Sequence, residues 1–515
     1  MNRSAERLGC ELFLVLLIVS GCTAEGGDSS NVDTETATQS DGDADGDSDT
    51  DADTDADTDA DTDTDTDTDT DTDTDAEGDT DTCSSTDSDT LTEIANPPSP
   101  YGDILNDAQL RWLSKEMILF AHFGIKTYYV NDNHMGDGNE DPQRFNPADF
   151  DASQWIDACV GGGFGGIVLT AKHHDGFCNW PTATTAHNVS ASPWQSGNGD
   201  VVHDVVDAFR GADMWVGLYL SAFDLHYLNS GANPAAYNDY FLTQLTELCT
   251  NYGTIDELWF DGFGADNMTV DMEMRDDVVR SLQPDAITFE GTVNPVRWTG
   301  NEACDVSEPN WLGTAPFEAD CIAQGNWFWN DTPICSLERL QEIYRSSTAR
   351  GAVALINVSP NPQGKIDAAS MERLKQFGDW VRHFDENDVA HGKPATADNT
   401  RDNNPRFGPA MALDGNRNTY WATDDGVHAG GIEVDLENEQ TIEAVVIQEY
   451  LPLGQRITGH TVSIWQNSAW REVAFATTIG QKRVLEFSPV TTSRVRLAFT
   501  AKAPIVISNL LITAR

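Results

Sequence analysis

Short, unbroken apolar runs recur through the middle of the chain, at residues 118–124, 166–170, 215–220, 257–261, 286–290 and 353–358. Continuous rather than alternating hydrophobicity is the mark of parallel strands buried on both faces. Helical patterns lie between them. One runs over 237–252, with Tyr240, Phe241, Leu245 and Leu248 near helical spacing, and another over 272–282. Repeated strand–helix units predict an α/β fold, a (β/α)8-like TIM barrel. A helix with Met371, Leu374 and Phe377 on one face then runs out beyond Trp380, and residues 385–402 are polar. Beyond that connector the period changes to alternation, at 432–436, 444–449, 461–465 and 494–499. About 120 residues of such segments predict an all-β jelly-roll sandwich.

The first 95 residues show neither period. Arg3 and Arg7 precede an apolar run at 12–19, which is too short to span a bilayer as a stop-transfer helix. The string Val19-Ser20-Gly21-Cys22 that follows resembles a bacterial lipobox. It implies a lipoprotein signal peptide at 1–21, lipidation of Cys22, and a place in the bacterial cell envelope, lipid-anchored or secreted. Residues 22–95 are dominated by Asp-Thr and Asp-Ala alternation. With almost nothing apolar to bury, they are expected to form a disordered acidic tether. Residues 21–90 hold 27 acids and no Lys or Arg, about half of the formal charge of −55. This balance excludes nucleic acid as a partner and leaves the lipid anchor as the only membrane contact. The expected domains are therefore the barrel at 96–390 and the sandwich at 395–515.

Candidate chemistry gathers where the barrel strands end. The first run ends at His122, the second enters Lys172-His173-His174-Asp175, and the third ends at Tyr219 and Ser221. The next three end at Asp261, Glu290 and Asn357. In a barrel these ends converge on one face. Carboxylates and imidazoles there, with Trp180, Trp259 and Trp311 nearby, suit a sugar. Adjacent His173 and His174 on an extended segment point to opposite sides, which argues against one shared metal. No HExxH or CxxC spacing is present, and Ser221 lacks a GxSxG elbow. Among the cysteines, Cys304 and Cys321 are the first pair to test for a disulfide.

Several long strings resemble glycoside hydrolase family 29, the α-L-fucosidases. They are His122-Phe123-Gly124-Ile125-Lys126-Thr127-Tyr128, Phe145-Asn146-Pro147, Thr170 to Phe177, Gly217 to Ser221 and Trp259-Phe260-Asp261-Gly262. The string Arg297-Trp298-Thr299-Gly300-Asn301-Glu302 is similar to the subgroup that prefers α-1,3/1,4-branched fucose. The resemblance implies a retaining exo-acting hydrolase of fucosylated glycans, with no cofactor for catalysis. Asp261 matches the nucleophile and Glu302 best matches the acid/base, with Glu290 and Glu308 as competitors. His122, His173, His174, Tyr219 and Trp259 match positions lining the fucose pocket. One departure stands out: the family's Glu-Trp before Gly-Asp-Gly is replaced by His134-Met135, and Glu140 is the candidate substitute for the lost carboxylate. That departure feeds an alternative, a catalytically impaired surface glycan-binding protein.

The C-terminal strings Ala412 to Thr423 and Gly431 to Leu436 resemble the discoidin, or coagulation factor 5/8 type C, domain, many of whose relatives on glycosidases are family 32 carbohydrate-binding modules. The resemblance implies a structural calcium in the Asp-Gly-Asn loop, with Asp414 and Thr419 as ligands, and Asn509 stands where a glutamate is common. Trp421 reads as core.

Overall fold

A computed structural model describes residues 96–130, 135–264 and 268–515. The signal peptide, Cys22, the acidic tether and His134 lie outside the described residues. Among the described residues no helix is long and apolar enough to cross a membrane.

Eight parallel strands close into a barrel in chain order: β1 (Met117–Ala121), β2 (Gly166–Lys172), β3 (Trp215–Ser221), β4 (Glu257–Asp261), β5 (Ile287–Phe289), β6 (Pro295–Trp298), β7 (Phe317–Ile322) and β8 (Val353–Asn357). β8 returns to β1 with Phe120 opposite Asn357. Every residue of β1, β2, β3 and β8 is buried, which is why these strands read as continuous apolar runs. Among the described residues eight α-helices flank the strands: α1 (Asp107–Leu113), α2 (Ala152–Gly162), α3 (Val201–Gly211), α4 (Leu225–Asn229), α5 (Tyr237–Asn251), α6 (Met272–Leu282), α7 (Leu337–Ser346) and α8 (Ala368–Glu386). Asp151, Asp200, Asp224, Asp271 and Ser336 each accept a first-turn N–H at a helix start. Such caps are worth about 1 kcal/mol each. The α1 helix docks at the strand starts of β6 and β7, where Gln109 Nε2 donates to the carbonyls of Pro295 and Thr314, both at 2.9 Å.

The strand at 353–358, sixth in the sequence reading, is the eighth. β6 and β7 escape the apolar pattern. β6 is four residues long with Arg297 and Trp298 exposed, and β7 carries Glu318 and Asp320 among its buried positions. No helix joins β5 to β6 or β6 to β7, so the strand–helix alternation also lapses there.

The C-terminal part is antiparallel. Its strands are β9 (Ala395–Ala397), β10 (Trp421–Ala422), β11 (Ala429–Glu449), β12 (Ile457–Gln466), β13 (Ala469–Ala476), β14 (Arg483–Ala501) and β15 (Val506–Ala514), in the order β10-β15-β11-β14-β12-β13, with β9 on β11. The long β11 pairs β9 and β14 in its first half. After a register shift between Asp435 and Gln440 it pairs β14 and β15. Trp421 is fully buried in this domain's core with Ile432, Val434, Val462, Leu497 and Phe499, and its indole N–H donates to the Asn399 carbonyl at 2.9 Å.

The two parts share core. Ala444, Val446 and Leu451 pack into the barrel's apolar cluster. Lys482 Nζ meets Glu116 Oε2 at 2.7 Å with the lysine side chain buried. The chain at 96–101 runs along the sandwich, where Tyr101 N–H donates to the Leu453 carbonyl at 3.0 Å.

Candidate active site

Asp261 closes β4, and the register sets it beside Ser221 at the end of β3. Its half-exposed carboxylate accepts from the Tyr219 hydroxyl at 2.7 Å on Oδ2 and from the Gly262 N–H at 2.6 Å on Oδ1. The second bond needs the chain to turn immediately. Gly262 does so at φ +74°, where a Cβ would stand 2.7 Å from Phe223 Cβ. His174 Nε2 lies 3.5 Å from Asp261 Oδ2. Its Nδ1 is 2.6 Å from Ser221 Oγ, whose hydroxyl donates to the Phe223 carbonyl at 2.7 Å. Ser221 therefore accepts, His174 Nδ1 carries a proton, and the imidazole edge is fixed toward Asp261.

β2 stops at Lys172 and the chain turns, so His173 and His174 do not splay as an extended pair would. Their ring centroids are 4.2 Å apart and both face the same site. His173 stacks on Tyr219 at 5.4 Å and 11°. His122, just past β1, sits 5.3 Å from His173. Its Nδ1 is 2.8 Å from Asn357 Oδ1, while the Asn357 amide N–H donates to the Trp327 carbonyl at 2.8 Å. That orientation assigns the His122 Nδ1 proton and turns Nε2 into an acceptor for a hydroxyl. Trp259 continues the stack below Tyr219, with centroids at 5.2 Å and 17°. The structure thus brings His122, His173, His174, Tyr219, Trp259 and Asp261 to one mouth.

Two residues of an aromatic run that the sequence reading did not place in the site complete it. The Trp327 ring lies 4.9 Å from His122, and the Phe328 ring 5.5 Å from His122 and 5.0 Å from His173. The aromatic run 327–329 is the signal that could have found them. Two expected tryptophans lie elsewhere. Trp180 is buried and donates to Glu247 at 2.8 Å, and Trp311 sits under Lys502 of the sandwich, 3.8 Å from its Nζ.

The carboxyls sort by environment. Glu302 is exposed on the loop after β6. That loop is tied to β7 by the Cys304–Cys321 disulfide, by a bridge between Ala303 and Cys321, and by the Cys304 N–H donating to the Asp320 carbonyl at 3.2 Å. Buried Asp320 accepts from Trp298 Nε1 at 2.6 Å. Burial, with the charges of Glu302 and Asp261 in reach, pushes its carboxyl up to about 7. Glu290 is exposed just past β5, and its carboxyl is raised by partial loss of solvent and by the Asp261 charge. Glu308 is drawn away to the sandwich. Burial alone would raise its carboxyl, but Thr477 and Arg483 bond it and hold it low. Glu140 is buried under the loop at 135–140, where Oε1 accepts the Asp137 N–H at 2.7 Å. Its carboxylate stands beside Asp175, whose own carboxyl is raised by burial and then by Glu140. These contacts join Glu140 to that loop and to Asp175.

The alpha-L-fucosidase family model matches residues 112–386, which span β1 to β8 and every group of the mouth. The chain belongs to the alpha-L-fucosidase family. Within it, the chain is 32% identical over 431 residues to alpha-L-fucosidase 1 of Arabidopsis thaliana, covering 77% of this chain and 84% of that one. Among solved structures it is similar to SpGH29, at 31% identity and TM-score 0.75, over 81% of this chain and all of the other. It is also similar to the Ruminococcus gnavus GH29 fucosidase in complex with fucose, at 27% identity and TM-score 0.76, over 83% and 98% of the two chains. In this chain the polar groups of the mouth sit at the C-terminal ends of the strands. The sandwich matches the model for a NedA-like, galactose-binding domain of the F5/F8 type C class at residues 411–497.

In the Asp-Gly-Asn loop of this fucosidase family member, Thr419 Oγ1 is 2.7 Å from both Asp414 Oδ2 and the Asn416 carbonyl, and 3.3 Å from the Met411 carbonyl. These are all oxygen donors, the set that calcium takes. Asn509 is buried and donates to Gln448 Oε1 at 2.9 Å. Among the described residues no three His, Cys, Asp or Glu side chains are grouped as metal ligands.

Proposed function

We propose that the protein is a retaining exo-α-L-fucosidase that releases terminal fucose, α-1,3/1,4-linked, from glycans. The observation that supports it best is the Asp261 carboxylate, held at the end of β4 by the Tyr219 hydroxyl and faced by His174 at the floor of a ring-lined mouth. In this reading Asp261 attacks the anomeric carbon and forms a glycosyl-enzyme ester, while Glu302 protonates the departing oxygen. Glu302 then takes a proton from water, which hydrolyses the ester. Retention calls for about 5–5.5 Å between the two carboxyls in the working complex. His122, His173 and His174 bond the sugar hydroxyls, and Trp259, Trp327 and Phe328 bury its apolar side.

The accessory readings belong to the same proposal. Lipid at Cys22 anchors the protein in the bacterial envelope, and the acidic segment holds the barrel away from the membrane. The loop of Asp414 and Thr419 binds a structural calcium, which calorimetric titration of calcium into chelator-treated protein measures. The deciding experiment is a screen of the purified protein on α-1,2-, α-1,3-, α-1,4- and α-1,6-linked fucosides, with the anomer released followed by NMR. First-formed α-fucose supports retention; first-formed β-fucose, or no release from any linkage, overturns the reading.

A further inference from the structure

Two carboxyls buried beneath the mouth take no part in that mechanism. Glu257 opens β4 and Glu318 lies on β7, and both are fully buried. Glu257 Oε2 accepts from the indole N–H groups of Trp112 at 3.2 Å and Trp215 at 3.0 Å. Glu318 Oε1 accepts from Trp259 Nε1 at 2.7 Å. Room for Glu257 comes from Gly217 on β3, where a Cβ would stand 3.0 Å from Glu257 Cβ. The remaining oxygens, Glu257 Oε1 and Glu318 Oε2, meet no N–H or O–H donor among the described residues. The two carboxyls, both fully buried, lie within hydrogen-bonding reach of each other.

An ionised carboxylate only accepts, so two of them in contact need a proton between them. Without it, two like charges would be buried together in a dry interior, which costs far more than protonating one. No Lys, Arg or His forms an ion pair with either among the described residues. The acids nearest by charge are Asp256, the residue before β4, and Asp320 on β7, both of which oppose a second negative charge. The α1 helix and β3 present indoles.

We propose that Glu257 and Glu318 share one proton, and that this acid–carboxylate pair positions the floor of the sugar pocket through Trp259. The chain of contacts is short. Glu318 holds the Trp259 indole by its N–H. That ring lies flat on Phe289 at 4.0 Å and 2°, and on Tyr219 at 5.2 Å and 17°. The Tyr219 hydroxyl in turn holds Asp261. Glu318 is thus a positioning residue that touches neither sugar nor nucleophile.

Glu318→Gln tests the shared proton, because its amide keeps an acceptor for Trp259 and offers Glu257 the N–H that the proton supplied. The difference infrared spectrum between wild type and Glu318→Gln near pH 6 should show loss of a protonated-carboxyl C=O band. kcat and KM on a small fucoside should stay within about twofold. Glu318→Leu leaves the indole without its acceptor and should raise KM by tenfold or more, with a smaller change in kcat. No lost C=O band overturns the shared proton, whatever the kinetics. A folded Glu318→Leu protein with wild-type KM overturns the positioning role. If Glu318→Leu does not fold, Glu318→Gln still decides: its infrared band settles the shared proton, and a tenfold loss in that isostere, which keeps the Trp259 acceptor, overturns positioning through that bond. The kinetic arm rests on the fucosidase reading. A wild type inactive on every fucoside sinks that reading and leaves the infrared result standing.

Discussion

Asp261 is held by a hydroxyl and a backbone N–H while staying open to solvent on one side, the environment a carboxylate nucleophile needs. Asp261→Asn should lower turnover of a small fucoside by roughly 10⁴-fold or more with the fold unchanged by circular dichroism, because an amide does not form the ester. Near-normal kcat in that variant removes Asp261 from the mechanism. Glu302→Ala should slow natural glycosides far more than aryl fucosides, whose leaving groups need little protonation, and azide should restore the second step. The same pattern in Glu290→Ala and not in Glu302→Ala would reassign the acid. A third residue carries a pH signature. Asp320 is pushed from 3.8 up to about 7 by burial and then by the neighbouring carboxylates. The fold therefore prefers its protonated form. Its contribution to stability is fully present below the unfolded value and is lost as pH rises through the folded one. Asp320→Asn keeps an acceptor for Trp298 and removes the titration. Its Tm relative to wild type should climb between about pH 4 and pH 7, and a flat difference across that range refutes the burial argument.

Among the elements, the β6–β7 connection is the one that presents the proposed acid. It carries Glu302 and no helix, so its place rests on cross-strand ties: the Cys304–Cys321 disulfide, the Ala303–Cys321 bridge and the Trp298–Asp320 bond. Closing a loop of this size stabilises a fold by about 3 kcal/mol in chain-entropy terms. Replacing both cysteines with Ser should lower Tm accordingly. It should also depress kcat on poor leaving groups more than on aryl fucosides, because the loop that presents the acid loosens. Equal losses on the two substrate types would show that the disulfide serves stability alone. β6 and β7 were also the elements least legible in the sequence. β5 and β8 announce themselves by apolar runs, whereas β7 spends its inward positions on Glu318 and Asp320.

At the scale of the whole molecule, barrel and sandwich are not independent. Ala444, Val446 and Leu451 fill the barrel's core edge, Lys482 neutralises Glu116, and Arg483 takes up Glu308. Removing a partner of a buried ion pair leaves an uncompensated charge and costs about 3–5 kcal/mol. Deleting residues after 395 should therefore lower the barrel's Tm sharply or unfold it. A chain starting at Asn96 keeps the carbonyl that Arg401 Nε bonds and should retain full-length kcat and Tm. An unchanged melting curve for the truncated barrel would refute the shared core.

Local sequence determined the barrel class, the β domain and most of the mouth, because strand periodicity places inward residues and the end of an apolar run marks where side chains emerge. It reached His122, His173, His174, Tyr219, Trp259 and Asp261 for that reason. What only the tertiary structure decided depends on which distant segments meet. Trp311 went to the sandwich, while Trp327 and Phe328 came to His122. Glu308 was captured by Arg483, and Glu257 met Glu318 across 61 positions of chain. Periodicity reports how a side chain faces its own strand, and says nothing of what the opposite wall of a closed barrel presents to it.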